Sequence, residues 1–273
     1  MRKIKAEKIT RAVIELVSQA NFLLRRDVLH ALRRAYTCEK NSRAKKILKA
    51  ILDNAAYARR QKLAICQDTG LPVVFIECGQ DVAVSGDLKA AVNKGVSHGY
   101  KKYCLRNSIV ADPLERRKSA FSPCLIHTDI VRGNKIKLTL LPKGFGCENK
   151  SQLKMFKPTA GIDEIMDFIV KAVKDAGPDA CPPYVIGVGI GGTADYACLM
   201  AKKALLRRVS RASSKLEKGL LKLINKTGIG PMGLGGLNTA LAVNIEKYPT
   251  HIAGLPVSVN ISCHALRSAS VIL

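Results

Sequence analysis

Apolar positions recur at helical spacing through the first quarter of the chain and predict helices over Ile4–Ser18, Phe22–Tyr36 and Ser42–Arg60. In the third, Ile47, Leu48, Ile51, Leu52 and Ala55 share one face, and Asn41 or Ser42 stands where a cap is needed. The Lys and Arg residues on the other side read as a solvated face, and His30 as a structural histidine. Residues 1–62 are thus expected to form a helical layer.

Beyond that layer the period changes. Val73–Glu77 reads as a strand and Asp87–Tyr103 as a helix. Thr128–Val131 and Lys135–Leu141, on either side of Arg132-Gly133-Asn134, read as a β-hairpin with a glycine turn. Ile162–Ala176 is a helix closed by Gly177 and Pro178. A short apolar strand then runs into glycines ahead of a helix over Asp195–Arg207. Ser214 and Glu217 form a capping box for a helix that reaches Thr227 and stops at Gly228. Near the C-terminus, Val257, Val259 and Ile261 alternate in phase with Cys263, which predicts a strand pointing that thiol inward. An inward cysteine is also an ordinary small hydrophobe. The expected fold class is α+β, with the helical N-terminal layer packed on a largely antiparallel sheet beside further helices. No internal repeat or low-complexity linker divides the chain, so a single domain over 1–273 is expected.

Composition narrows the setting. At 273 residues and 47% hydrophobic, the chain buries a substantial core. No apolar run spans a bilayer and no leader-like segment opens the sequence, so a soluble cytoplasmic protein is expected, with its nine cysteines reduced. The formal net charge of +24 suits nucleic acid, an anionic substrate or an acidic partner alike. A basic nucleic-acid-binding module is the remote alternative, because aromatics are only 5% and no DNA- or RNA-binding signature is present.

Candidate chemistry centres on Cys181-Pro-Pro-Tyr-Val-Ile-Gly187-Val-Gly189-Ile-Gly191-Gly192-Thr193. Glycines between a strand and a helix let backbone N–H groups approach an anion closely. Gly187, Gly189 and Gly192 also fit G-x-G-x-x-G, but a dinucleotide fold needs an acidic ribose ligand about 20 residues on, and this chain offers Arg207, Arg208 and Arg211 there. Small residues needed for packing at a strand-to-helix turn explain the glycines equally well, though not the Cys-Pro-Pro before them. A proline after a cysteine ligand recurs in iron-sulfur proteins. Cys66-Gln67-Asp68-Thr69-Gly70 is a polar cluster between a helix and a strand, either functional or an Asx turn satisfying its own backbone. Arg106 is suited to clamping a carboxylate, or is one surface arginine among many.

Taken together, Cys66-Gln-Asp-Thr-Gly, Gly146-Cys-Glu-Asn-Lys-Ser, Cys181-Pro-Pro-Tyr with Gly189-Ile-Gly-Gly-Thr, and His251 followed by Cys263 resemble the α part of class I fumarate hydratases. The related tartrate dehydratases share the pattern, and the likeness runs in order from about Ile9 to the C-terminus. The resemblance implies that Cys66, Cys181 and Cys263 hold a 4Fe-4S cluster with one iron left open as a Lewis acid. It further implies that Gln67, Arg106 and Gly146 bind substrate, that Asp68 acts in proton transfer, and that His251 orients or binds substrate. Two positions depart from the family loop: Phe145 replaces a glycine, and Cys147 brings a fourth thiol, which is kept outside the ligand set.

The implied reaction is reversible hydration of fumarate to malate, with L-tartrate dehydration as the alternative. Because the resemblance ends at the α part, the remaining catalytic residues are expected on a separate β subunit. The dicarboxylate site would then close between the two chains in a symmetric hetero-oligomer.

Overall fold

The computed structural model describes residues 1–209 and 214–273. In chain order it begins with β1 (Arg2–Lys5), α1 (Ala6–Phe22), α2 (Arg26–Cys38), α3 (Ser42–Gln61), β2 (Leu71–Gly79), β3 (Val82–Ser85) and α4 (Leu88–Lys102). There follow β4 (Ile109–Val110), β5 (Ser119–Ala120), β6 (Leu125–Val131), β7 (Ile136–Lys143), the single turn α5 (Phe145–Glu148), β8 (Gln152–Phe156) and α6 (Ile162–Ala176). The chain ends with β9 (Tyr184–Gly192), α7 (Ala194–Ala204), α8 (Lys215–Asn225), β10 (Ala240–Thr250), β11 (Leu255–Ser262) and β12 (Ala269–Ile272). The fold is α+β, as the pattern predicts. It divides into two compact units: Met1–Arg25, Tyr57–Gly144 and Arg267–Leu273 form the first, and Arg26–Ala56 with Phe145–Leu266 the second. No helix among the described residues is long and apolar enough to cross a membrane.

The first unit is built on a four-stranded sheet in the order β12-β7-β2-β6, with β2 and β6 parallel and the other pairings antiparallel. Ile9, Val13, Leu16 and Val17 of α1 share its core with Val92 and Val96 of α4 and with Ile136, Leu138 and Leu140 of β7. α4 approaches α1 closely because Gly95 and Gly99 carry no side chain; a Cβ at Gly95 would stand 2.7 Å from that of Val13, and one at Gly99 2.9 Å from that of Val17.

Here the structure corrects the expected hairpin. β6 and β7 do not pair with each other; β2 lies between them. The connecting turn crosses the end of β2, where the Gly79 N–H donates to the Lys135 carbonyl (2.9 Å), Gln80 to Val131 (2.8 Å) and Asp81 to Gly133 (3.0 Å). Only glycine fits at position 79, since a Cβ there would stand 2.2 Å from the Gly133 oxygen. Two apolar runs around a glycine turn give the strands but not the partner. The partner is set by burial, and Val73, Val74 and Ile76 make β2 the fully covered central strand.

The second unit carries a sheet in the order β10-β9-β11-β8, parallel between β10 and β9 and antiparallel elsewhere. Ile186 and Val188 of β9 and Val257, Val259 and Ile261 of β11 share a core with Ile165, Ile169 and Val173 of α6 and Leu220 and Ile224 of α8. The capping box opens α8: the Ser214 hydroxyl accepts from the Glu217 N–H, and the Glu217 carboxylate from the Ser214 N–H. In α3 the cap is Asn41, whose Oδ1 accepts from Arg43 and Ala44, and Ala44, Leu48, Ile51, Ala55 and Ala58 form the buried stripe.

Candidate functional site

In the first unit, Cys66 to Gly70 form the loop that feeds β2, and three groups tie it down. The buried phenol of Tyr100, from α4, donates to the Thr69 carbonyl (2.8 Å) and lies 3.2 Å from that of Gly70. The Thr69 hydroxyl accepts from the Arg106 N–H at 3.1 Å. Buried Arg267 donates through Nη2 to the Asp68 carbonyl. The exposed side chain of Arg106 therefore starts one hydrogen bond from the loop, which brings Cys66, Gln67, Asp68 and Arg106 into one neighbourhood.

Asp68 does make the Asx turn foreseen for it, with Oδ1 accepting from the Gly70 N–H at 2.9 Å. Its other oxygen, Oδ2, points toward Gly144, where a Cβ would stand only 3.2 Å away. One oxygen of a half-buried carboxylate is thus spent on the loop, and the second faces the glycine that follows β7. Tyr100 and Arg267 carry no sequence motif, and neither stands out from the pattern. Their part is visible only once α4 and the C-terminal segment are seen to meet the loop.

In the second unit, Cys181 and Cys263 are neighbours. His264, the residue after Cys263, donates its backbone N–H to the Cys181 carbonyl (3.3 Å) and brings its ring Nδ1 to 3.1 Å from the same oxygen. Cys181 holds a left-handed backbone with φ of 57°, and both thiols are half-buried. Cys147 is buried and donates its S–H to the Ala180 carbonyl at 3.3 Å, one residue from Cys181.

The loop after β7 is braced from below. Glu148 accepts from Lys202 of α7 (2.5 Å) and from Asn260 of β11 (3.1 Å), and Asn260 also donates to the Ser151 hydroxyl (2.9 Å). Gly146 is exposed at the start of this loop, with only the Asp179 carbonyl, at 3.9 Å, near the place of a Cβ. The Phe145 ring is 47% exposed, so it points outward and does not fill the core.

The β9 glycines serve packing. A Cβ at Gly187 would lie 2.0 Å from the Ala201 carbonyl, and one at Gly189 2.1 Å from that of Ala197, so both let α7 lie directly on the strand. Gly191 (φ 93°) and Gly192 (φ 68°) make the turn into α7, and the Gly192 carbonyl accepts from the Thr250 hydroxyl at 2.9 Å. Packing therefore accounts for the glycines that also fit a dinucleotide motif. Of the basic residues set against that motif, Arg207 pairs with Glu217 at 2.9 Å, and Arg211 lies outside the described residues. His251 follows Thr250 and is exposed, its Nδ1 accepting from the Ala253 N–H at 3.2 Å. In the neutral ring the proton then sits on Nε2, at the outer end of the side chain.

A family model described as Fumarate hydratase (Fumerase) matches residues 10–272. The chain belongs to that family. Among its relatives is a Methanocaldococcus jannaschii protein named "Putative L(+)-tartrate dehydratase subunit alpha", 42% identical over 275 residues that cover 96% of each chain. Two more, named "L(+)-tartrate dehydratase subunit alpha", come from Escherichia coli O157:H7 and Escherichia coli strain K12. Each is 26% identical over 275 residues, covering 97% of this chain and 91% of the relative. Membership makes the chain a member of a hydro-lyase family.

The cysteines can be sorted by their surroundings against what a cluster needs, which is thiols reachable from outside the core and free to ionise. All nine are free. Cys124 and Cys147 are buried, and burial pushes the Cys124 thiol up to about 11. Cys38, Cys104 and Cys198 are exposed, and Cys78 lies within β2. The other half-buried thiols are Cys66, Cys181 and Cys263, each at a loop or just beyond a strand end, so their chemistry fits the group. Among the described residues no three His, Cys, Asp or Glu side chains are gathered as a metal site.

Proposed function

We propose that the chain is the α subunit of an iron-sulfur hydro-lyase that adds water reversibly across the double bond of fumarate, giving malate. The observation that carries this reading is the family match over residues 10–272, joined to three half-buried thiols at loops or strand ends, one of them in a polar loop whose Thr69 binds the Arg106 N–H. Cys66, Cys181 and Cys263 would hold a 4Fe-4S cluster. When bound, it supplies an iron without a protein ligand, a Lewis acid for the substrate hydroxyl and carboxylate.

The chain's own residues do the rest. Arg106 and Gln67 bind a carboxylate and set the alkene's position, the guanidinium supplying paired donors. Gly146 offers an open backbone surface against which the substrate lies. Asp68 holds or moves the proton exchanged at the carbon next to the new hydroxyl, through the oxygen not engaged by Gly70. His251 orients substrate by donating from Nε2. Atoms balance: water delivers a hydroxyl to one alkene carbon and a proton to the other, and dehydration reverses both.

A β subunit supplies the remaining residues in this reading, in keeping with relatives named as α subunits. Nine cysteine thiols suit a reducing cytoplasm. The names of those relatives also favour a second reading, dehydration of L-tartrate to oxaloacetate, in which the substrate carries one more hydroxyl than malate. The test is to reconstitute the chain without oxygen and assay fumarate and L-tartrate, alone and with the candidate β subunit. Turnover of fumarate only on mixing is expected. Preference for L-tartrate would select the second reading, full activity of the single chain would remove the β subunit, and inactivity on both substrates would overturn the hydro-lyase assignment.

A further inference from the structure

The glycine-rich run from Gly228 to Leu237 lies in the second unit, ahead of β10. Gly230, Gly233, Gly235 and Gly236 take positive φ there, and so does Met232, at 53°. Such a backbone has no helical or extended preference of its own, so its shape depends on what it is tied to. Of its side chains Pro231 is buried, but Met232, Leu234 and Leu237 are exposed, which leaves little burial to hold it.

The ties are polar and run in two directions. On one side the run seats on the turn that carries Cys181. The Met232 N–H donates to the Pro182 carbonyl at 2.9 Å, and a Cβ at Gly233 would stand 2.4 Å from that of Pro178, whose carbonyl accepts from the Cys181 N–H at 3.0 Å. On the other side the run is fastened to Glu39, which is 3% exposed. Its Oε1 accepts from the N–H groups of Lys40 (3.0 Å) and Asn41 (3.1 Å), at the entry to α3. Its Oε2 accepts from the Leu237 N–H (2.9 Å) and the Asn238 amide (3.2 Å), and Gly236 passes so close that a Cβ would stand 2.9 Å from that oxygen. Thr239, two residues beyond the run, takes the Gly230 N–H at 3.1 Å. Among the described residues Glu39 is the one side chain from a distant part of the chain that hydrogen-bonds this segment.

We infer that Glu39 is a positioning residue for Cys181: it holds the glycine-rich run, and the run fixes the turn from Pro178 to Pro182. The functional consequence rests on the reading of Cys181 as a cluster ligand, since a thiol held in one place is presented to iron without the cost of ordering its loop. Glu39 acts through the backbone of the run, and a glutamine cannot replace it, because the amide sets an NH2 against one of the two pairs of N–H donors.

The test uses the full chain, reduced and before any iron is added. Native protein is labelled with iodoacetamide, and the rate at Cys181 is read by mass spectrometry with Cys66 as the internal reference. Cys181 in Glu39→Gln is expected to label about tenfold faster than in wild type, as the turn opens more often once a buried donor pair has lost its acceptor. Asn238→Ala, which removes only the amide donor, should act in the same direction by a smaller factor, and it decides the question if Glu39→Gln does not fold. Glu217→Gln is the control. Glu217 is also 3% exposed and accepts from the N–H groups of Ile245 and Ser214 in the same unit, so its loss destabilises comparably without touching the run. Cys181 should keep its wild-type rate in that variant. An unchanged rate in the Glu39 and Asn238 variants, or an equal acceleration in Glu217→Gln, overturns the inference. Because no iron is present, the labelling result stands apart from whether wild type takes up a cluster, which tests the reading above.

Discussion

The phenol of Tyr100, inside α4, donates to the Thr69 carbonyl at 2.8 Å and so fastens a helix to the loop that carries Cys66, Gln67 and Asp68. Burial pushes the Tyr100 pKa up, so the hydroxyl remains a donor wherever the protein is folded. Tyr100→Phe leaves the Thr69 carbonyl without this donor, and a loss of about 1–2 kcal/mol in stability is expected. Denaturant unfolding of the isolated chain measures it. The same variant, assembled with the proposed β subunit, should lose turnover by more than the stability change accounts for; unchanged turnover would show that the loop's position is immaterial.

Thr69→Val removes the acceptor at the Arg106 N–H and keeps the side chain's size. If Arg106 clamps a substrate carboxylate, KM for the dicarboxylate should rise about tenfold, with kcat changed less. A purely structural Thr69 would lower the melting temperature and leave KM alone. Thr69→Ser, which restores the acceptor, should bring KM back.

Periodicity alone carried much of this fold. The bounds of α6 follow from its apolar repeat and from Gly177 and Pro178 beyond it, and the start of α8 from the capping box. What the pattern does not hold is partnership between distant segments. The interposition of β2 between β6 and β7 depends on a turn crossing at Gly79, and no local signal at residues 125–143 records it. The candidate site residues stand out as motifs, whereas Tyr100 and Arg267, which fasten the loop, act through contacts 30 to 200 residues away in the chain. The β9 glycines carried two meanings at once, an anion loop and a packing surface, and only the position of α7 distinguishes them.

Two glycines give an internal control for that packing. Gly189→Ala would drive a methyl to about 2.1 Å from the Ala197 carbonyl, and a loss of about 2–3 kcal/mol is expected as α7 shifts off the strand. Gly219→Ala, in the middle of α8 with nothing within 4 Å, should gain about 0.5–1 kcal/mol from helix propensity. Opposite signs in a thermal melt are the expected outcome.

Two buried glutamates set the acid limit of the second unit. Burial alone would raise the pKa of Glu39, but hydrogen bonds from Asn41, Leu237, Asn238 and Lys40 outweigh it and hold the value below the ordinary range. Glu217 is likewise lowered against its burial, by the N–H groups of Ile245 and Ser214 and by Arg207. A carboxylate whose pKa is lowered on folding stabilises the protein above its unfolded value, about 4.3. That contribution is lost as pH falls through the lowered folded value. Stability should therefore drop on acidification below about pH 5, and Glu39→Gln should flatten the drop while costing about 2 kcal/mol at neutral pH. An unchanged acid slope in that variant would remove Glu39 from the account.

The last prediction concerns the nine cysteines, which the fold sorts before any metal is added. A cluster takes thiolates, so a ligand must ionise and stand where iron reaches it. Cys124 meets neither demand, being buried with its thiol pushed up to about 11, and Cys147 is buried with its S–H donating to the Ala180 carbonyl. Cys66, Cys181 and Cys263 lie half-buried, and His264, the residue after Cys263, contacts the Cys181 carbonyl. Alanine at Cys66, Cys181 or Cys263 should each abolish the visible absorption and bound iron of anaerobically reconstituted protein, whereas Cys124→Ala and Cys147→Ala keep both. Cys147→Ala is the sharper comparison, because this thiol bonds the carbonyl of Ala180, which precedes Cys181 in the chain, and is the more buried of the two. Loss of iron on its removal would bring Cys147 into the ligand set and mean that the Ala180 hydrogen bond breaks when the cluster forms. Circular dichroism on each variant separates a lost ligand from a lost fold, since a small half-buried side chain cut to alanine leaves the packed faces of β9 and β11 in place.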